Sequence, residues 1–331
     1  MLAWMRRRCA GGITILMYHR VLPVEVAPAY PFPNLVVDVP TFEQQMEWLA
    51  RNFRVLPLRE AVAALEGAQG GGLGGARPVA CVTFDDGYRD NADHAAPVLE
   101  RHGLRGTFFV TTGFVEGMPM WFDVAGAAWR RDPVGALQRA ASAAPEAREA
   151  LGRIASLDVW MGTLKKLPVA LRGAVVASLG AEAPGGDYVF APMTPEQVRH
   201  LAQRGHEIAS HAVTHPILPS LDDAALRYEL RQSGDTLRRW TGGPVNGFCY
   251  PNGNHDERVV RAARAEGYAY ACAVRRGIAR SDSERMALPR RSIGAPKRLS
   301  RALDRFESEV VGWRDLVHEG SQMVRKLRGA R

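Results

Sequence analysis

The stretch Thr83-Phe84-Asp85-Asp86-Gly87 sets two carboxylates side by side where the apolar run 78–84 ends. Adjacent like charges disfavour each other's ionised form, so the pair needs a solvated turn or a cation. Later in the chain, Ser210-His211-Ala-Val-Thr-His215 offers two imidazoles four residues apart. On a helical turn or in a tight loop, that spacing turns both toward one ion. Two histidines and one carboxylate form a common catalytic zinc set that keeps a position open for water. An ion there would relieve the aspartate pair. One aspartate would complete the ligand set, and the other would stay free as a base toward a water acidified by the metal. Spacing alone does not say which aspartate does which. Without the histidines, Asp-Asp-Gly would be read as a turn. Without the aspartates, His-x-x-x-His would carry little, and His200 and His206 are assigned no role. Two further polar groups end apolar runs, at Tyr18-His19 and at Tyr250-Pro251-Asn252-Gly253.

The elements that must position these groups follow from periodicity. Residues 13–19 read as a strand. Thr41 reads as the N-cap of a helix over 42–50, followed by a short strand at 53–56 and a helix at 58–66. Residues 69–75, with five glycines, read as a flexible linker or loop tip. Strands are expected at 78–84, 106–111, 206–210, 245–250 and 268–274, with helices at 91–102, 194–204, 222–240 and 256–266. This alternation argues for a parallel sheet, open or closed into a barrel, with chemistry at the carboxyl ends of the strands. Residues 118–192 break the rhythm. They read as a helical insertion, either a lid or inert bulk, in which Trp121 and Trp129 would contact a sugar or anchor the packing of helices.

Composition narrows the class. The chain has 331 residues, 46% hydrophobic and 24% charged, which suits a globular α/β domain with a substantial core. The formal charge is +8, but Arg6, Arg7 and Arg8 and the segment 297–331, with nine Lys/Arg against five Asp/Glu, hold most of the excess. The nearly neutral middle argues against nucleic-acid binding. The basic ends suit solvated helix ends or peripheral contact with an anionic membrane. No apolar run is long enough to span a bilayer, and the first residues lack a secretory signal pattern, so the expected location is cytoplasmic, peripheral at the inner membrane face. Four cysteines without a Cys-x-x-Cys read as free thiols.

In this order on a β/α chain, TFDDGYRDN, SHAVTHP and FCYPNG resemble the polysaccharide deacetylases, the NodB-homology fold of carbohydrate esterase family four. The resemblance covers roughly 13–117 and 190–295. It implies a distorted (β/α) barrel carrying the 118–192 insertion within a catalytic domain 1–295, with 296–331 as a basic helical tail. It also implies removal of an acetyl group, usually from an N-acetylated amino sugar. Carried over, Asp85 is the base, and Asp86, His211 and His215 hold zinc or another divalent transition metal. Two departures stand out. Cys249 occupies the place of an arginine before Pro-Tyr-Gly, with Asn252 for the tyrosine. The late stretch 288–293 has no histidine to act as acid. Leu16-Met17-Tyr18-His19 is similar to the branch that includes poly-N-acetylglucosamine deacetylases. That likeness implies His19 as the acid, with Arg290, or its neighbour Arg291, orienting Asp85. Tyr250, Pro251 and Asn252 are assigned to the substrate, with the backbone N–H near Asn252 as the oxyanion donor. The implied partner is an acetylated glycan. Two other readings share the fold: a carbohydrate-binding pseudoenzyme, and a metal-dependent amidase on a small non-sugar substrate.

Overall fold

The computed structural model describes residues 9–67, 73, 75, 77–180, 188–294 and 302–311. Most of the basic ends and of the 69–75 linker lie outside the described residues. Ten strands are described: β1 Ile13–Tyr18, β2 Arg20–Leu22, β3 Val36–Asp38, β4 Arg54–Val55, β5 Val79–Phe84, β6 Thr107–Val110, β7 Glu207–Ser210, β8 Gly247–Cys249, β9 Tyr270–Cys272 and β10 Arg291–Ser292. The main sheet runs β10-β1-β5-β6-β7-β8-β9, with β4 beside β5, and its strand pairs are parallel. The segment leading into β10 joins the two edges: Leu288 bridges Cys272 of β9, and Arg291 pairs with Leu16 of β1. The curled sheet is thereby drawn toward a barrel, as expected.

Register brings the motifs together. Ile13 pairs with Val79 and Tyr18 with Phe84, so His19 and Asp85 leave adjacent strands at the same level. Val110 pairs with Ser210, and Ser210 with Phe248, which carries that level round to His211 and to Tyr250. Strands buried on both faces need unbroken apolar sequence, and β1 and β5 supply it. Alternate residues serve opposite faces. Ile13, Ile15, Val79, Cys81, Cys249 and Cys272 share one core cluster, while Leu16, Tyr18, Val82 and Phe84 pack in another with the outer helices. Asp85 continues the alternation of Val79, Cys81 and Thr83.

The expected elements are present with shifted ends. The first helix is Val39–Asn52, capped by Asp38 rather than Thr41; Pro40 in its first turn needs no hydrogen-bonded N–H, so the helix starts earlier. The helix expected at 91–102 begins as a π turn, Asn91–Ala95, and continues as Ala96–Arg101. The insertion is helical, with a core of its own in which Trp160 and Leu164 are fully buried. Part of the expected tail is a helix, Ala302–Val310, whose Phe306 packs edge-on against Trp48. The four cysteines are free thiols, as expected. Among the described residues, no helix is long and apolar enough to cross a membrane.

Candidate active site

The strand ends open into a cavity of about 350 Å³ lined by His19, Asp85, Asp86, His211, His215, Tyr250 and Asn252. Every site residue expected from the sequence lines it except Pro251 and Arg290, which stand behind its wall. A second depression, about 600 Å³ between Arg264, Tyr268 and Glu284, lies near the start of β9 and takes in none of these residues.

The cavity's backbone is held in costly conformations. Asp86, Ala212, His215 and Asn252 are the described non-glycine residues with positive φ, and all four lie in the site loops. Such strain persists where surrounding structure over-determines it. Asp86 is followed by Gly87 at φ +94, where a side chain would also crowd Val110. Buried Glu229 receives the backbone N–H groups of Val213 and Thr214 at 2.7 and 3.0 Å, and pins the loop between the two histidines.

Asp86 is buried, and its Oδ1 lies 3.5 Å from Nε2 of both His211 and His215 without a hydrogen bond to either. One ligand atom from each of the three residues lies within 4.8 Å of the others. A buried, unpartnered carboxylate oxygen facing two imidazole nitrogens fits a divalent cation with N and O ligands. Burial, with His211 alongside, pushes the His215 imidazole down to about 3, so it stands neutral with a lone pair to offer. Asp86 is pushed up by burial, but the two imidazoles more than offset this and its carboxyl lies below its ordinary range. Asp85, His211 and Cys249 form a second close group. It fits an ion less well, because Asp85 is bound to Arg290, His211 Nδ1 is bound to the Cys249 carbonyl at 2.7 Å, and burial keeps the thiol protonated.

Arg290 grips Asp85 with two nitrogens, at 2.7 and 2.8 Å, and both side chains are buried. Burial alone would raise the Asp85 carboxyl, but the guanidinium overrides it and holds Asp85 well below the ordinary carboxylate range. Of the two neighbouring arginines, Arg290 is the one paired with Asp85, whose ion-pair partners among the described residues are Arg290 and His19. The Cys249 departure gains a reason. Its small thiol lies 2.9 Å from Arg290 Nη2, so a short side chain there leaves room for an arginine arriving from the closing strand. His19 Nε2 is 3.9 Å from Asp85 Oδ2, and its buried Nδ1 has no partner. Tyr250 Oη and Asn252 Nδ2 are likewise buried without partners.

The insertion supplies what sequence reading missed. Phe122, Met161, Gly162 and Lys165 line the cavity, so these helices roof it. Trp121 donates its indole N–H to the His215 carbonyl at 3.2 Å, and Phe122 packs edge-on against the His215 ring, centroids 5.0 Å apart. Asp123 accepts from Tyr88 at 2.7 Å and from Tyr30 at 3.1 Å. The Arg20 guanidinium lies over both tyrosine rings and pairs with buried Asp90. Trp129 instead stacks on Trp160, as a packing anchor. One signal was available: Asp123 interrupts the otherwise apolar run 120–128, and a buried carboxylate needs partners.

Known proteins resemble this chain in sequence family and in fold. Residues 74–271, more than half the chain, match the family profile described as polysaccharide deacetylase. The Bacillus subtilis (strain 168) protein YxkH, assigned by name to the polysaccharide deacetylases, is 22% identical over 289 residues, covering 87% of this chain and 74% of that protein. Among solved structures, the Streptococcus pyogenes deacetylase PplD, in complex with acetate, is similar at TM-score 0.60 and 21% identity, covering 89% of this chain and 97% of that one. IcaB from Ammonifex degensii is similar at TM-score 0.58 and 18% identity, covering 92% and 97%. These structures share the fold.

Proposed function

This chain belongs to the polysaccharide deacetylase family, and on that premise we propose that it is a metal-dependent hydrolase removing acetyl groups from N-acetylated amino sugars of a glycan. The observation that carries the reading is the buried Asp86, His211 and His215 cluster beside the Asp85–Arg290 pair in one cavity. Zinc, or another divalent transition ion, held by those three residues would polarise the acetyl carbonyl and acidify a water. Asp85 is placed to take the proton of a water attacking the carbonyl carbon. Arg290 keeps Asp85 ionised and aimed, which makes it a weak base suited only to an acidified water. The backbone N–H of Asn252, in the turn built by Tyr250 and Pro251, is assigned to the oxygen where charge develops. His19 gives a proton to the amide nitrogen as the C–N bond breaks, which frees the amino sugar and leaves acetate. A histidine suits that role as a side-chain type.

The cavity is at the small end for ligand sites, roofed by the insertion. That favours one sugar residue at a time, and it also supports a second reading, an amidase on a small non-sugar substrate. Acetate release by zinc-loaded protein should be measured on N-acetylated and O-acetylated oligosaccharides and on small acetamides. Turnover of the oligosaccharides, abolished in Asp85→Asn with zinc uptake retained and strongly reduced in His19→Ala, is the expected result. Near-normal rates in Asp85→Asn would overturn the assignment of the base. Zinc uptake without hydrolysis of any substrate would favour a binding pseudoenzyme.

A further inference from the structure

The two imidazoles of the His-x-x-x-His motif are aimed by different means. The His211 ring is fixed by its own Nδ1, bonded to the Cys249 carbonyl at 2.7 Å. That is the usual arrangement for a metal-binding histidine, whose outer nitrogen is normally bonded to a carbonyl, carboxylate or water. His215 lacks it: its Nδ1 is buried and unpartnered, and its backbone sits at φ +54. Among the described residues, no hydrogen bond orients this ring from behind.

Three successive residues of the insertion stand there instead, at the start of the Trp121–Arg131 helix. Trp121 bonds the His215 carbonyl and so holds the strained peptide. Phe122 closes against the His215 ring. Asp123 ties the same helix end to Tyr88, two residues beyond Asp86. Successive side chains on a helix fan out by about 100° each. A helix end pressed against the site can therefore reach three directions at once. We propose that Trp121, Phe122 and Asp123 act as a clamp that positions His215 against Asp86, so that the insertion is a working part of the metal centre. This rests on the reading that Asp86, His211 and His215 hold the ion. The three clamp residues are positioning residues, since none is required to touch the metal or the substrate.

The test is metal affinity of the full chain, read by chelator competition with zinc alone and by the visible absorption of the cobalt(II) form, which reports ligand geometry. Trp121→Phe keeps the ring and deletes the N–H. Phe122→Leu keeps apolar bulk and deletes the ring. Trp129→Phe disturbs the stacked Trp129–Trp160 pair of the same insertion without touching the clamp. Loss of groups that orient a metal ligand typically weakens binding about 10- to 100-fold, and that range is expected for Trp121→Phe and Phe122→Leu, with an altered cobalt spectrum. Trp129→Phe should bind zinc as the wild type does. A metal-free melting temperature matching the wild type separates positioning from unfolding, and either clamp variant suffices if the other does not fold. Wild-type affinity and spectra in both clamp variants would overturn the clamp while leaving the metal reading intact. A wild-type protein that takes up no zinc would overturn both.

Discussion

His211 and His215 come from one motif and face the same carboxylate oxygen at the same 3.5 Å, yet they live in two different regions. His211 belongs to the barrel side, where its own aim and that of Asp85 are set by polar partners. The Cys249 carbonyl holds its ring, and beside it Arg290 holds Asp85. His215 belongs to the roof side, where a strained backbone is kept in place by an indole N–H and an aromatic edge. A motif specifies ligand types and spacing. What aims each ligand comes from whichever element packs behind it, and here those elements are a barrel strand and an inserted helix.

The largest effect should come from breaking the polar side. Arg290→Met leaves Asp85 buried without its cation, which should cost about 3–5 kcal/mol of stability and most of the turnover. Burial would then push the carboxyl up instead of being overridden. Arg290→Lys should recover little, because one ammonium cannot reproduce the two-pronged grip at 2.7 and 2.8 Å. Urea unfolding together with acetate release measures both. If the lysine variant matched the wild type, the barrel side would depend on charge alone, and the contrast with the packed roof would weaken.

A smaller effect is expected where the two regions are joined. Tyr88 follows the aspartate pair, and its hydroxyl donates to Asp123 of the insertion. Tyr88→Phe leaves the buried Asp123 carboxyl with Tyr30 as its remaining side-chain donor among the described residues, and should cost about 1–3 kcal/mol. The loss should appear as a lower urea midpoint with Asp85 chemistry intact, so kcat changes less than metal affinity. A variant as stable as the wild type would mean that Asp123 gains nothing from Tyr88 and that the roof stands by its own packing.

The same contrast decides what was legible beforehand. Parallel strands buried on both faces announce themselves as apolar runs, and the polar residues that end them, His19, Asp85 and His211, fall in the site by register alone. Arg290 was reachable only through family resemblance, since Arg290 and Arg291 are alike in sequence. The strand that closes the sheet between Cys272 and Leu16 chooses between them. The roof was legible only as one of two readings of the insertion, lid or inert bulk. Trp121, Phe122 and Asp123 have no spacing tied to the motifs, and their meaning lies in contacts to residues 30, 88 and 215. Trp121 was expected to meet a sugar or anchor helices. It anchors the insertion to the loop that carries His215. The helix cap is Asp38 rather than Thr41 because Pro40 fits the first turn, where its missing N–H is not needed, and the Asp38 side chain accepts from the Thr41 N–H.

The finest probe of the roof is the pH dependence of metal-free stability. His215 is held at about 3 in the folded chain, below the ordinary imidazole value near 6.5. Between those values the unfolded chain binds the extra proton, so His215 makes stability fall as pH falls from about 6.5 toward 3. Asp123 is pushed up by burial to about 7, against the opposing pull of Arg20 and the two tyrosine bonds. Between the ordinary aspartate value near 4 and about 7 the folded chain binds the extra proton, so Asp123 makes stability fall as pH rises. In the overlap, roughly pH 4–6.5, the two slopes oppose each other. His215→Gln should leave a chain that loses stability with rising pH across that window. Asp123→Asn, which keeps one accepting oxygen for the two tyrosine hydroxyls and does not titrate, should leave one that gains it. Urea midpoints of chelator-treated protein across the window decide the matter. Equal slopes in the two variants would mean that these groups do not titrate as buried members of the roof, and the division between a polar barrel side and a packed roof side would fail where it is most exposed to test.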